Sequence, residues 1–320
     1  MKILAGMLTF LVFFSGIAFA QETAVGALPG SWTYPFKRFV EALDLAFTFD
    51  NVAKAEKYAN YAHLRLLEAR VLLAQNKPEL VPDVMKEYTV QVREAARIVN
   101  MNDSRALQVA EKVMIKLKGD LQALDEIESL TQSPDISANA KDEALNRSLM
   151  LAEKVAVQKP VDATQFAIAI AETRLERIRE MVQMNKTDIV PIEAQRYERA
   201  IAFGTHVSEI AKAHGENATS VAEIVAAATS IHLAVLNELY DKVPEVAKPH
   251  IVEAMNFSST GNNIALEVIC EKTMPNVTAA TCRAEINKSL MPPEAVATKV
   301  AKIIPQLPQT QPVSHNETMR

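Results

Sequence analysis

Apolar residues recur every three or four positions along most of the chain. This period is that of helices that each bury one face. From Phe36 the apolar positions are Phe36, Phe39, Val40, Leu43 and Phe47, which predicts a first helix. Later helices are predicted at about 51–76, 82–99, 102–130, 136–157, 162–184, 191–213, 218–241 and 251–271, with shorter pieces at 282–290 and 293–304 and a disordered tail at 304–320. No convincing run alternates as a strand would, so we predict an all-α fold.

The chain also matches itself after a shift of 109 residues, as from Arg65 to Arg174. Leu64–Thr89 and Thr173–Glu198 share eight identities in 26 positions. The shared residues include the turn pattern N-K-x-x-x-V-P, and helix periodicity alone does not dictate turn residues. We therefore favour duplication over two hairpins of similar composition. The predicted organisation is two tandem repeated units of about four helices each, 31–132 and 133–246, and a C-terminal helical segment at 247–303.

Arginine and tyrosine recur at the same places in both copies, as Arg65/Arg174 and Tyr88/Tyr197. We expect them to be structural, with arginine pairing across helices and tyrosine packing its ring and bonding its hydroxyl. A binding role in both halves is the alternative.

Aromatic residues concentrate near the predicted first helix. Six lie between Pro29 and Phe49: Trp32, Tyr34, Phe36, Phe39, Phe47 and Phe49. One interpretation is a core that closes around this helix, and the other is an exposed patch for a membrane surface or a partner helix. The apolar face is of ordinary width and few cations flank it, so we favour the core.

A set of short motifs in the same region carries a family resemblance over about Leu28–Ala96. The motifs are Pro29-Gly30-Ser31, Tyr34-Pro35, Lys37-Arg38, Glu41, Leu45-Ala46-Phe47-Thr48, Lys54-Ala55-Glu56 and Arg65-Leu66-x-Glu68-Ala69. This pattern resembles a family of exported archaeal and bacterial proteins that share a helical domain of unknown function. The resemblance implies export and helicity, and no activity comes with it. The second copy lacks the opening motif and has Arg177 where the first has Glu68.

The N-terminus has the pattern of a secretory signal peptide. Lys2 precedes an apolar run from Ile3 to about Ala18, and Ala18-Phe19-Ala20 forms a cleavage site. We predict a signal peptide at 1–20 and a short leader at 21–30, with an uncleaved anchor as the alternative. No other stretch looks long and apolar enough to span a membrane. The expected location is extracytoplasmic, secreted or associated with the cell surface.

Charge and cysteine content fit this location. The formal net charge is −5, with both signs interspersed, so no basic stripe indicates a nucleic-acid partner. Cys270 and Cys282 are an even pair close in sequence, which in an exported protein predicts one disulfide. Two free thiols would follow if the compartment were different. No histidine stands at ligand spacing from either cysteine, so a metal site is not expected.

Motifs for catalysis or cofactor binding are not found. Histidines 63, 206, 214, 232, 250 and 315 form no E-x-x-H or H-E-x-x-H pattern, and phosphate-binding glycine loops are missing. The carboxylates Asp125, Glu126 and Glu128 are interpreted as a solvated helix face. The sequence therefore predicts a protein without catalysis and without cofactors, with an enzyme of unrecognised type as the remaining alternative.

Glycosylation sequons are the strongest chemical signal. N-x-[ST] occurs eight times, where roughly one or two would arise by chance. The sequons are at Asn102, Asn146, Asn185, Asn217, Asn256, Asn276, Asn287 and Asn316. Helix capping is an alternative explanation at Asn102 and Asn217.

The leading hypothesis is an exported, glycosylated, non-catalytic interaction or scaffold protein of the cell envelope, with an envelope or extracellular protein as partner. The alternative is a secreted module that holds a small apolar ligand in a groove left by small residues, such as Ala167–Ala171 and Ala226–Ala228.

Overall fold

The structure is a computed structural model that describes residues 25–99, 105–131, 133, 135–214, 217–278, 281–282 and 285–286. The described residues form helices and turns and contain no strand, which confirms the all-α prediction. The signal peptide, the sequons at Asn102, Asn287 and Asn316, His315 and the predicted tail lie outside the described residues. The chain divides into two compact units, the first ending at Lys159 and the second beginning at Pro160.

The first unit contains five helices among its described residues. They are α1 (Tyr34–Ala46), α2 (Asn51–Ala74), α3 (Val81–Ile98), α4 (Ala106–Thr131) and α5 (Asp135–Ala156), with a short 3₁₀ turn at Pro78–Leu80. Helix α2 packs on α3 and α4, and α5 packs on α4 and α3. Fully buried leucines such as Leu66, Leu72, Leu117 and Leu124 form the core.

The second unit contains four helices among its described residues. They are α6 (Pro160–Gln183), α7 (Val190–His214), α8 (Ala218–Tyr240) and α9 (Lys248–Thr273). Helix α6 packs on α7 and α8, and α9 packs on α8 and α7. The packing partners therefore correspond, element by element, to those of α2–α5.

Helix bounds follow the shift found in the sequence. Pro160 and Val190, which begin α6 and α7, each lie 109 residues after Asn51 and Val81, which begin α2 and α3. These bounds support the duplication hypothesis, which itself stays a prediction.

The unit boundary differs from the one drawn from the sequence at 132/133. Helix α5 was assigned to the second repeat, yet it packs on α3 and α4 of the first unit. Likewise α9, which was placed in a separate C-terminal segment, is the fourth helix of the second unit. The predicted break at 133–135 therefore lies within the first unit, since a proline ends a helix without indicating which unit the next helix joins.

The shared N-K turn has a specific geometry in both units. Asn76 and Asn185 adopt the left-handed conformation, with φ of 56° and 58°. After each, the lysine amide bonds a carbonyl five residues back, from Lys77 to Leu72 and from Lys186 to Met181, both at 2.9 Å. This is the Schellman helix end, and asparagine is among the few residues that tolerate its left-handed position.

One described helix, α8, is long and apolar enough to cross a membrane by length and composition. The expectation that no stretch after the signal peptide would qualify was therefore wrong. Of its most apolar window, 56% is buried inside the protein, and Thr229, Ser230 and His232 lie on its buried side. The helix is apolar on most sides because α6, α7 and α9 all pack against it.

Candidate functional site: an outward-facing aromatic helix

Helix α1 is attached to the first unit through its polar side chains. Tyr34 Oη donates to Glu68 Oε2 at 3.1 Å, and Lys37 Nζ donates to Glu68 Oε1 at 2.5 Å. The same ammonium group donates to the carbonyl oxygens of Val25 at 2.6 Å and Ala27 at 3.1 Å. The leader and α1 are thus fixed to α2 around one buried carboxylate.

Arg65 on α2 is the centre of this polar cluster. Its side chain is fully buried and forms ion pairs with Glu41 at 2.7 Å, Glu68 at 3.0 Å and Glu87 at 3.2 Å, while Nη1 donates to Tyr34 Oη at 2.9 Å. Burial alone would lower the pKa of Arg65, but these neighbours raise it above its usual value. Burial raises the pKa of Glu68, and Arg65 offsets part of that shift. This cluster matches the structural role expected for Arg65.

Two further charged residues, Arg38 and Asp44, complete the attachment of α1. Arg38 pairs with Glu41 on its own helix and with Glu87 of α3 at 3.1 Å. Near the C-terminal end of α1, Asp44 accepts from Lys57 and from Tyr61 Oη, the latter at 2.7 Å. All four charged residues of α1 therefore pair with neighbouring side chains of the first unit.

The apolar side of α1 faces away from the unit. We call the exposed residues Trp32, Phe36, Phe39, Val40, Leu43, Phe47 and Phe49 the aromatic face. Its aromatic side chains are exposed to 92% (Trp32), 70% (Phe36), 57% (Phe39), 71% (Phe47) and 86% (Phe49). The interpretation of these residues as core was wrong. Periodicity identifies an amphipathic helix correctly, but the surface beneath α1 consists of charged groups, so the apolar side is turned outward.

A second polar cluster in the first unit joins His63, Tyr88 and Asp120. Asp120 is fully buried on α4, with Oδ1 2.7 Å from His63 Nδ1 and Oδ2 accepting from Tyr88 Oη at 3.3 Å. Burial raises the pKa of Asp120, and the histidine offsets part of that shift. The three residues link α2, α3 and α4, so they brace the core.

A buried lysine corrects the interpretation of residues 125–128 as a solvated face. Lys141 on α5 is fully buried and pairs with Asp125 at 2.7 Å and with buried Glu128. Only Glu126 is exposed, where it pairs with Arg70. A carboxylate pair on one helix therefore holds a cation from the next, which the local sequence does not reveal.

Unit two has neutral groups around its matched tyrosine. Tyr197 Oη lies 2.6 Å from Ser258 Oγ and 3.0 Å from His232 Nδ1, and all three residues are buried. Burial lowers the pKa of His232 to about 4, so the ring is neutral near pH 7. The matched arginine, Arg174, is also buried and pairs with Glu193 at 3.1 Å.

The other histidines lie apart from these clusters. His206 is exposed and pairs with Glu209 at 3.1 Å, His214 is exposed at the end of α7, and His250 is half-buried in α9. Within the described residues, no group of three His, Cys, Asp or Glu is placed to hold a metal ion.

Among the described sequons, two classes differ in accessibility. Asn185, Asn217 and Asn276 are exposed at turns or helix starts. Asn146 and Asn256 lie within α5 and α9, and the serines of their sequons, Ser148 and Ser258, are fully buried. Asn217 begins α8 without a side-chain capping bond, so capping does not explain that sequon.

Cys270 and Cys282 are joined by a disulfide, with their Cα atoms 5.9 Å apart. The bridge fixes the residues after α9 to the end of that helix.

Small residues that we considered as walls of a ligand groove are packed instead. Ala167, Ala171 and Ala226 are fully buried. A Cβ placed on Gly204 would lie 3.7 Å from Ile168 and 3.8 Å from Ala167, which is ordinary van der Waals contact. A separate open cleft of about 510 Å³ lies in the first unit and is lined by Asn51, Lys54, Tyr58, Arg97, Ile98 and Val99.

Comparison with known proteins finds one family match, which lies within the first unit. Residues 26–138 match a family model described as a domain of unknown function (DUF5667). The matched segment contains α1 to α4, with the aromatic face and the polar cluster that attaches it. A search of curated proteins finds no match. The chain is therefore similar over this range to a domain to which no activity is assigned.

Proposed function

We propose that this chain is an exported, non-catalytic interaction protein of the cell envelope, and that it docks a protein through the aromatic face. The observation that carries the proposal is the inverted orientation of α1, with its charged groups paired inward and its aromatic groups exposed. Soluble proteins rarely expose large contiguous apolar patches, and those that do use them for association.

Several features support the finer parts of this proposal. The signal-peptide pattern and the single disulfide fit an oxidising compartment outside the cytoplasm. Exposed sequons at Asn185, Asn217 and Asn276 are positions where a glycan would meet solvent. Arg65 and its carboxylate partners Glu41 and Glu68 are buried and pair with one another, which favours a structural role for this cluster.

Photo-cross-linking on the native envelope tests the proposal. Val40→Cys places a benzophenone label within the aromatic face, where the native side chain is 47% exposed. Val90→Cys is the matched control, because Val90 lies on α3 of the same unit and is 50% exposed. We expect defined cross-linked proteins from Val40 and none from Val90, with glycopeptides read from the same digest. No protein product from either position would refute the docking role.

A further inference from the structure

We infer that the occupant of the aromatic face is a second copy of this chain, so that two α1 helices pair about a two-fold axis. This inference rests on the proposed docking function and names its partner. It depends on three properties of the face: its area, its lack of charge and its shape.

The exposed area suits a protein dimer. With about 200 Å² for a whole aromatic side chain, the exposed fractions of the five aromatic residues amount to roughly 750 Å². The largest apolar patch on an ordinary monomer is about 300–600 Å². A standard interface buries about 800 Å² on each partner. The face alone therefore supplies nearly one side of a stable interface.

The face carries no charge, which favours self-pairing. The exposed residues of α1 are Pro35, Phe36, Phe39, Val40, Ala42, Leu43 and Ala46, and Phe47 directly after the helix is exposed as well. In a two-fold pair the same face meets itself, so a face with charges of one sign would repel its partner copy, whereas an uncharged face would not. Helices that lie on membranes instead use free Lys and Arg to reach lipid headgroups. In α1, Lys37 and Arg38 are engaged by Glu68, Glu41 and Glu87.

The shape of the face permits close packing of two antiparallel helices. Helix α1 has 13 residues, and Val40 lies near its middle. Ala42 and Ala46 are small and lie beside the aromatic residues, so the larger side chains of a second helix can fill that side. Offset and edge-to-face aromatic pairs add to such an interface.

Sedimentation and cysteine cross-linking test the pairing with purified protein. We expect a dimer at micromolar concentration that Phe36→Gln with Phe39→Gln converts to a monomer, with the helical circular dichroism signal unchanged. Ile115→Gln with Ile231→Gln is the control, because both isoleucines are exposed (62% and 64%) and belong to other helices, α4 and α8. This control should stay dimeric.

Two site-specific readouts accompany this test. Trp32 is the single tryptophan of the chain, so its emission should shift to shorter wavelength as dimer forms. Val40→Cys should form an intermolecular disulfide with itself on mild oxidation, and Val90→Cys should not.

The possible outcomes separate the partner from the docking function. A monomer at all concentrations, with a Val40 photoproduct that contains a different protein, overturns the pairing and leaves the docking function standing. A monomer that sediments with phosphatidylcholine vesicles and gives no protein product overturns both.

Discussion

Tyr88 and Tyr197 occupy matched places in the two units, yet their hydroxyl groups meet different chemistry. In the first unit the partner is the buried carboxylate of Asp120, and in the second it is neutral His232 together with Ser258. The helix framework is the same, so the framework does not determine whether polar groups inside it are charged.

In the first unit, buried charged groups also attach a further helix. It alone carries a helix such as α1 on its surface among the described residues, and α1 is attached through Arg65 and its carboxylate partners. At the place of Glu68 the second unit has Arg177, which pairs with Glu180. The second unit also buries an arginine pair, Arg174 with Glu193, so a buried ion pair is common to both cores. What the first unit adds is Glu68 and Glu87, which bind Lys37 and Arg38 of α1 and so attach the helix that presents the aromatic face.

Removal of Arg65, at the centre of the first unit's charged cluster, should have the largest effect on the free energy of unfolding. Arg65→Met leaves Glu41 and Glu68 buried without their main partner, and loss of one member of a buried ion pair costs about 3–5 kcal/mol of unfolding free energy. Denaturant unfolding measures the loss. Arg93→Met, which breaks an exposed pair with Glu143, should cost under about 1 kcal/mol. Equal losses in the two variants would mean that the cluster adds nothing to stability.

Removal of the matched hydroxyls compares the two cores directly. Tyr88→Phe takes a donor from a charged acceptor and should cost about 2 kcal/mol, whereas Tyr197→Phe loses neutral partners and should cost about 1 kcal/mol. Thermal and denaturant unfolding of both variants give the values. The reverse order would show that the charge of Asp120 is not what distinguishes the cores.

A buried carboxylate in the second unit should make stability fall as pH rises. Burial raises the pKa of Glu198 to about 8, with help from nearby Glu253. Between its ordinary pKa and 8 the folded chain retains a proton that the unfolded chain has lost, so ionisation opposes folding as pH increases. Glu198→Gln removes this effect and should raise Tm above that of wild type by about 3 °C at pH 9. The variant should gain nothing at pH 4, and an equal gain at both pH values would contradict the assignment.

His232 should have the smallest effect on the pH dependence of stability. Its effect is opposite to that of Glu198, because stability falls as pH is lowered. Its pKa is lowered to about 4. Between about pH 4 and the ordinary pKa of histidine, the unfolded chain therefore binds a proton at this residue and the folded chain does not. The stability that this residue gives is complete above about pH 6.5 and is lost as pH falls toward 4. His232→Gln should flatten the curve of Tm against pH in this window. An unchanged slope would exclude His232 as its source.

The helices could be predicted from the sequence because their ends have local causes. Prolines, and asparagines such as Asn76 and Asn185 in left-handed turns, mark ends that the structure reproduces within a few residues. The continuity of α9 was harder to foresee, since Gly261 lies in its middle. A Cβ there would come within 2.8 Å of Thr205 Oγ1, so the glycine serves close packing with α7 rather than a break.

The side of α1 that faces inward could not be predicted in the same way. Its partners on α2 and α3 come from residues 13 or more positions away, as in Lys57 with Asp44 and Arg65 with Glu41, and periodicity describes only one helix at a time. A usable signal did exist: Lys37, Arg38, Glu41 and Asp44 all fall on one side of α1. The ion pair of Lys141 with Glu128 could not be predicted for the same reason. Each residue looks like a solvated charge in its own helix, and only the packing of α5 on α4 brings them together.

Under the proposed export and glycosylation, the buried serines of two sequons bear on the order of modification and folding. Ser148 and Ser258 have no exposed surface, and Ser258 also bonds Tyr197 inside the second unit. An enzyme that transfers a sugar to Asn146 or Asn256 would have to reach the chain before α5 or α9 forms. Glycan occupancy at these two asparagines, compared with occupancy at Asn185 and Asn276, would therefore show whether modification precedes folding.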